Sequence, residues 1–178
     1  IDDLAARHGR KVKWRPILLG VIFKQTGGAP LTTLPLKGEY SLHDFSRSAR
    51  FLDVPYTHPE TFPINTMHAA RAYYWLHEQN CEAARAFAHS VYRAYFRDGR
   101  DIAEVAVVLE LATRHGADRA TLAEALNSAA LKERLKVECD AALAKGVFGS
   151  PYISVDGEPF FGADRLPQIE RWLVAGGF

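Results

Sequence analysis

The chain has 178 residues, 22 Lys+Arg against 21 Asp+Glu, a formal net charge of +1 and 48% hydrophobic residues, which describes one globular chain with a sizeable core and argues against disorder. Bases scattered among acids give no electrostatic case for a nucleic-acid or acidic-membrane partner, and no apolar run approaches the roughly 20 residues that span a bilayer, so a soluble protein is expected. Only two cysteines occur, Cys81 and Cys139, far from any C-x-x-C or zinc spacing, and both read as reduced, buried or half-buried helix residues.

Ile1 to Gly9 reads as the last turns of a helix closed by glycine, with further chain expected before Ile1. Lys11 to Arg15 alternates polar and apolar residues, the period of a half-buried strand that Pro16 ends. Ile17 to Phe23 is mostly apolar and fits either a buried helical turn or a continuing strand. Gly27, Gly28, Pro30 and Pro35 make Lys24 to Gly38 a loop.

From Glu39 to Gly146 helix spacing dominates. Leu42, Phe45, Ala49 and Leu52 form one stripe, and Met67, Ala70, Tyr74 and His77 the next. Phe87, Val91, Tyr92 and Tyr95 mark a helix ended by Asp98-Gly99, and Ile102, Val105, Leu109 and Ala112 one starting near Asp101. A short helix carries Leu122, Ala125 and Leu126. Leu131, Leu135, Cys139 and Leu143 form the last of the block, capped by Ser128 and closed by Gly146.

The period then changes. Pro151 to Val155 is strand-like, Asp156-Gly157 is a two-residue hairpin signal, and Glu158 to Phe161 returns. Gly162 to Arg165 enters a final helix with Leu166, Ile169, Trp172 and Leu173 on one face. The order of elements is that of an α/β layer interrupted by a long helical insertion.

Gly146-Val147-Phe148-Gly149-Ser150-Pro151, the hairpin, and Phe161-Gly162-Ala163-Asp164-Arg165-Leu166 together resemble the C-terminal half of a thioredoxin fold. With Gly20 to Gly27, Pro35-Leu36-Lys37-Gly38 and Pro63-Ile64-Asn65-Thr66 added, nearly the whole chain resembles the kappa-class glutathione transferases and 2-hydroxychromene-2-carboxylate isomerases, a DsbA-like family. The isomerase branch is the more similar, through Pro63 to Thr66 and the compact Val155 to Phe160 hairpin.

The resemblance implies an α/β, thioredoxin-like (DsbA-like) fold with an inserted all-helical domain. Residues 1–36 and 146–178 would form the thioredoxin-like domain, incomplete at its N-terminus, and 37–145 the helical one. It further implies glutathione as cofactor. Ser150, before a cis Pro151, would offer its main chain to the cysteinyl part, Gly162, Ala163 and Asp164 would hold the γ-glutamyl end, and Lys37 would reach the glycine end. Physical chemistry supports the γ-glutamyl assignment, since N–H groups at a helix start favour a carboxylate and Asp164 can pair with the ammonium. Asn65 would touch the acceptor substrate, although it also reads as the cap of the helix holding Met67 and Tyr74. Tyr73, Tyr74 and Trp75 read as core or as an aromatic acceptor pocket.

Two departures from the family stand out. Gly28 occupies the place of the kappa asparagine, and the catalytic residue is not among these 178, because the family's thiolate-stabilising serine would lie upstream of Ile1. The expected activity is glutathione-dependent isomerisation of an unsaturated aromatic pyruvate-type substrate by a cytoplasmic homodimer, with no metal, nucleic acid or membrane partner. Kappa-type conjugation, DsbA-like disulfide exchange from an upstream C-x-x-C, and a non-catalytic ligand-binding dimer module are the alternatives.

Overall fold

The computed structural model describes residues 1–178. Its elements in chain order are α1 (Asp2–Arg7), α2 (Leu19–Thr26), α3 (Lys37–Phe51), α4 (Met67–Gln79), α5 (Cys81–Phe96), α6 (Val105–Thr113), α7 (Arg119–Ala125), α8 (Ala129–Ala144), β1 (Tyr152–Val155), β2 (Glu158–Phe161) and α9 (Leu166–Ala175). Single 3-10 turns occupy Leu31–Thr33 and Ala163–Arg165.

Side chains cap the starts of α5, α7 and α8. Asn80 Oδ1 accepts the Glu82 and Ala83 N–H groups at 2.9 and 3.1 Å, Asp118 Oδ1 that of Thr121 at 2.9 Å, and Ser128 Oγ that of Leu131 at 3.2 Å. Each such cap contributes about 1 kcal/mol. Gly146, at φ +75°, closes α8 in the left-handed region as its sequence position requires.

Two cores result. The large one gathers the apolar stripes of α4 to α8, with Phe87, Val108, Leu122 and Leu126 fully enclosed, and Trp14, Ile17 and Leu18 pack against it from the N-terminal segment. The small one joins Leu4 of α1, Phe160 of β2 and Ile169 of α9, flanked by Ile153, Val155 and Trp172. The hairpin pairs Val155 with Glu158 and Tyr152 with Phe161. Asp156 and Gly157 have φ of +52° and +96°, the turn whose twist matches the strands it joins.

The structure differs from the sequence pattern in several places. Lys11 to Arg15 forms neither strand nor helix. Its carbonyls and that of the following Pro16 are bound by side chains of the helical block instead: Arg85 donates to Val12 O at 2.8 Å, and the Tyr73 and Tyr74 hydroxyls donate to the carbonyls of Trp14 and Pro16 at 3.3 and 2.7 Å. Alternation reports half-burial, not the presence of a partner strand.

The Lys24 to Gly38 loop is shorter than expected, because α2 runs on to Thr26 and α3 already begins at Lys37. Helix α6 starts at Val105 rather than near Asp101, whose carboxylate caps a separate turn by accepting the Ala103 N–H at 2.8 Å. Cys81 is exposed as the first residue of α5, whereas Cys139 is buried. Tyr73 and Tyr74 are core residues, each 3% exposed.

Candidate functional site

The C-terminal hairpin builds a small recessed corner. After α8, Gly149 is buried against the ring of Phe161, and a Cβ at that position would stand 2.5 Å from Phe161 Cε2. Only glycine lets the backbone pass so close. Phe148 packs on Phe161 with ring centroids 4.7 Å apart and on Tyr152 at 5.6 Å, so three aromatic rings gather where the chain approaches the next residue, Ser150.

The Ser150–Pro151 peptide is cis, as the family resemblance implied. Ser150 lies outside every helix and strand, is exposed, and has no partner in the chain for its N–H or its C=O. Immediately after it, Pro151 O accepts the Gly162 N–H at 3.0 Å. That single bond ties the Ser150-Pro151 segment to the turn Gly162-Ala163-Asp164, and these five site residues are brought together.

Gly162 has φ +109° and ψ 150°, a conformation open essentially to glycine alone. A Cβ there would meet Asp164 Oδ1 at 2.3 Å, so the absence of a side chain lets the Asp164 carboxylate fold back over the turn. Ala163 and Asp164 open the 3-10 turn, where the first N–H groups have no acceptor within the helix. The Asp164 side chain is 72% exposed, with Arg165 Nη2 at 3.6 Å. Adjacent unpaired amides and an exposed carboxylate whose one ionic contact is Arg165 have the chemistry to hold a zwitterionic amino-acid head, amides to its carboxylate and Asp164 to its ammonium.

Lys37 and Asn65 are placed elsewhere. Lys37 is the exposed first residue of α3 and its ammonium makes no ion pair. Asn65 is exposed before α4, and its Oδ1 accepts the Met67 N–H at 2.9 Å, leaving its amide N–H groups free. No hydrogen bond or ion pair joins either residue to the hairpin corner. Gly28 is exposed in the α2–α3 connection with the Phe23 ring beside it.

The aromatic flank of Phe148, Tyr152 and Phe161 was missed from the sequence, yet a signal existed. With Asp156-Gly157 as a two-residue turn, Tyr152 must face Phe161 on the side opposite Phe160. A second cis bond, Phe62–Pro63, also went unread. Phe62 lies in an aromatic cluster with Phe45, His58, Tyr95 and Phe96, at centroid distances of 5.5 to 6.5 Å.

Residues 1–174 match the family described as DSBA-like thioredoxin domain. A 2-hydroxychromene-2-carboxylate isomerase of Sphingobium xenophagum is 28% identical over 177 residues, covering 98% of this chain and 88% of its own. The glutathione S-transferase kappa 1 of Rattus norvegicus is 27% identical over 180 residues, covering 92% and 80%. Among solved structures, a 2-hydroxychromene-2-carboxylate isomerase superposes with a TM-score of 0.86 at 25% identity, over 97% of this chain and 84% of the other. A putative protein disulfide isomerase from Nitrosomonas europaea shares the fold at a TM-score of 0.62 and 22% identity, over 81% and 77%.

Proposed function

The chain belongs to the DSBA-like thioredoxin domain family, with relatives among isomerases and glutathione transferases, and from that premise we propose that it is a glutathione-dependent isomerase. The observation that carries the reading is the hairpin corner, where the free main chain of Ser150 stands one residue from the Pro151–Gly162 hydrogen bond and hence beside the Gly162 to Asp164 turn. Glutathione needs both features: an extended cysteinyl peptide unit to bond with Ser150 and an amino-acid head to seat on Gly162, Ala163 and Asp164. Lys37 serves the glycine carboxylate, and Asn65 offers its free amide to the acceptor.

In this reading the substrate is an unsaturated aromatic pyruvate-type acid. The hemiketal ring opens to the α-keto acid, the glutathione thiolate adds to its conjugated carbon–carbon double bond to give an enolate, the new single bond rotates, and the enolate expels the thiolate as the double bond re-forms. Nothing is consumed, and glutathione is a cofactor. The division into 1–36 with 146–178 and 37–145 belongs to the same proposal.

A homodimer in the cytoplasm completes it. In the single chain, Leu36, Tyr40, Phe51, Leu52 and Val54 are exposed in and around α3, an apolar surface of the kind that subunits cover. No helix is long and apolar enough to cross a membrane.

The test is to incubate the full-length protein with 2-hydroxychromene-2-carboxylate and reduced glutathione, following the substrate spectrum and free thiol together. Isomerisation without thiol loss supports the proposal, and an unchanged substrate overturns it. The kappa relatives favour one second reading, conjugation, in which thiol disappears mole for mole with substrate.

A further inference from the structure

Away from the hairpin corner, a cleft of about 150 Å³ opens between the start of α2, α4 and α8. Its lining mixes the apolar groups of Leu18, Val21, Leu135 and the buried thiol of Cys139 with the charged side chains of Arg71, Lys132, Lys136 and Asp140.

The charges of that lining do not balance. Lys136 Nζ and Asp140 Oδ2 pair at 2.9 Å and offset each other. Lys132 has no carboxylate within ion-pair distance, and neither has Arg71, which is only 8% exposed. The Arg71 guanidinium donates from Nη1 to the Leu126 carbonyl at 3.0 Å, while its buried Nε has no partner. A buried cation ordinarily holds a carboxylate or fills its donors, since leaving it bare is costly. Its uncompensated field also reaches His68, one turn back on α4, whose pKa is lowered by burial and then by Arg71.

We propose that this cleft binds a small organic carboxylate, with the anionic end on Arg71 and Lys132 and the hydrocarbon body against Leu18, Val21 and Leu135. A purely inorganic anion would leave the apolar wall unused, and a neutral hydrocarbon would leave the cations without a partner. The cleft shares no residue with the proposed glutathione corner, so it stands or falls independently of that reading.

Benzoate is a suitable probe, with benzamide as the neutral control, titrated into the full chain while methyl resonances of Leu18, Val21 and Leu135 are followed. Saturable shifts of these methyls with benzoate and not with benzamide are expected. Two exposed rim substitutions should act with opposite sign. Lys132→Glu should weaken binding about fivefold or more, and Asp140→Asn, which frees Lys136, should tighten it. Neither touches the core, so folding is not at stake. Absence of saturation, equal binding of benzamide, or affinities that ignore both substitutions would overturn the proposal.

Discussion

The ring of Phe161 occupies the space where a side chain on Gly149 would begin, with only 2.5 Å between Cε2 and the position of that Cβ. This contact sets how the chain enters Ser150. Gly149→Ala should therefore push the half-exposed Phe161 ring off Phe148 and cost about 1 kcal/mol in urea unfolding. Adding Phe161→Leu should restore part of the loss, a coupling that a double-mutant cycle reads directly. Additive effects would show that the two positions do not press on each other.

The N-terminal segment is held to the helical core by Tyr74, whose hydroxyl donates to Pro16 O at 2.7 Å. Burial raises this phenol far above its ordinary pKa, so it stays a donor across the accessible range. Tyr74→Phe leaves the Pro16 carbonyl unpaired and should lower stability by about 1–2 kcal/mol, measured by denaturant midpoint at constant slope. No change would mean that water replaces the hydroxyl.

Glu138, with a side chain 7% exposed, receives Arg15 at 2.6 Å and Arg134 at 3.0 Å. Either arginine alone can neutralise it, so Arg15→Ala and Arg134→Ala should each cost about 1 kcal/mol. The double substitution strands a buried carboxylate and should cost about 3–5 kcal/mol, more than the two singles together. Simple additivity in thermal unfolding would contradict the shared-anion arrangement.

Acid should weaken the fold through two histidines. Burial lowers the pKa of His68, helped by Arg71, and that of His115, helped by Arg93 and Arg114. Folding thus favours their neutral forms. Their stabilising contribution is complete above the ordinary histidine pKa of about 6.5 and is lost as pH falls through the lower folded values. The Tm should be flat from about pH 8 to pH 7 and decline toward about pH 5, and the decline should be shallower in a His68→Gln, His115→Gln variant. An equal decline in that variant would assign the loss to carboxylates.

The helical block was legible because its apolar residues repeat at helix spacing and Ser128, Asp98-Gly99 and Gly146 mark boundaries locally. The hairpin was legible from Asp156-Gly157 alone. What failed depended on distant partners. Lys11 to Arg15 has strand alternation, but the carbonyls of Val12, Trp14 and the following Pro16 are bound by Arg85, Tyr73 and Tyr74, between about 58 and 73 residues away in sequence. Asp101 is a good cap residue whose carboxylate serves a turn of its own. The hairpin corner was found by resemblance to a family, while the pairing of Tyr152 with Phe161 follows from strand register and needed only the turn type; Phe148, outside the strands, has no such signal. Lys37 and Asn65 are individually exposed, and no local pattern says what they face.

The central claim is that the corner of Ser150 and Gly162 to Asp164 seats glutathione, and calorimetric titration of reduced glutathione into the full-length protein and its Asp164→Ala variant tests it most directly. Asp164 is exposed and makes only the 3.6 Å contact with Arg165, so the variant should keep the parent Tm. Loss of its charge-assisted bond to the γ-glutamyl ammonium should weaken binding by roughly 10- to 100-fold. Saturable binding that drops in this way with unchanged stability is the predicted result. No binding to the parent protein, or equal affinity in the variant, would contradict the account.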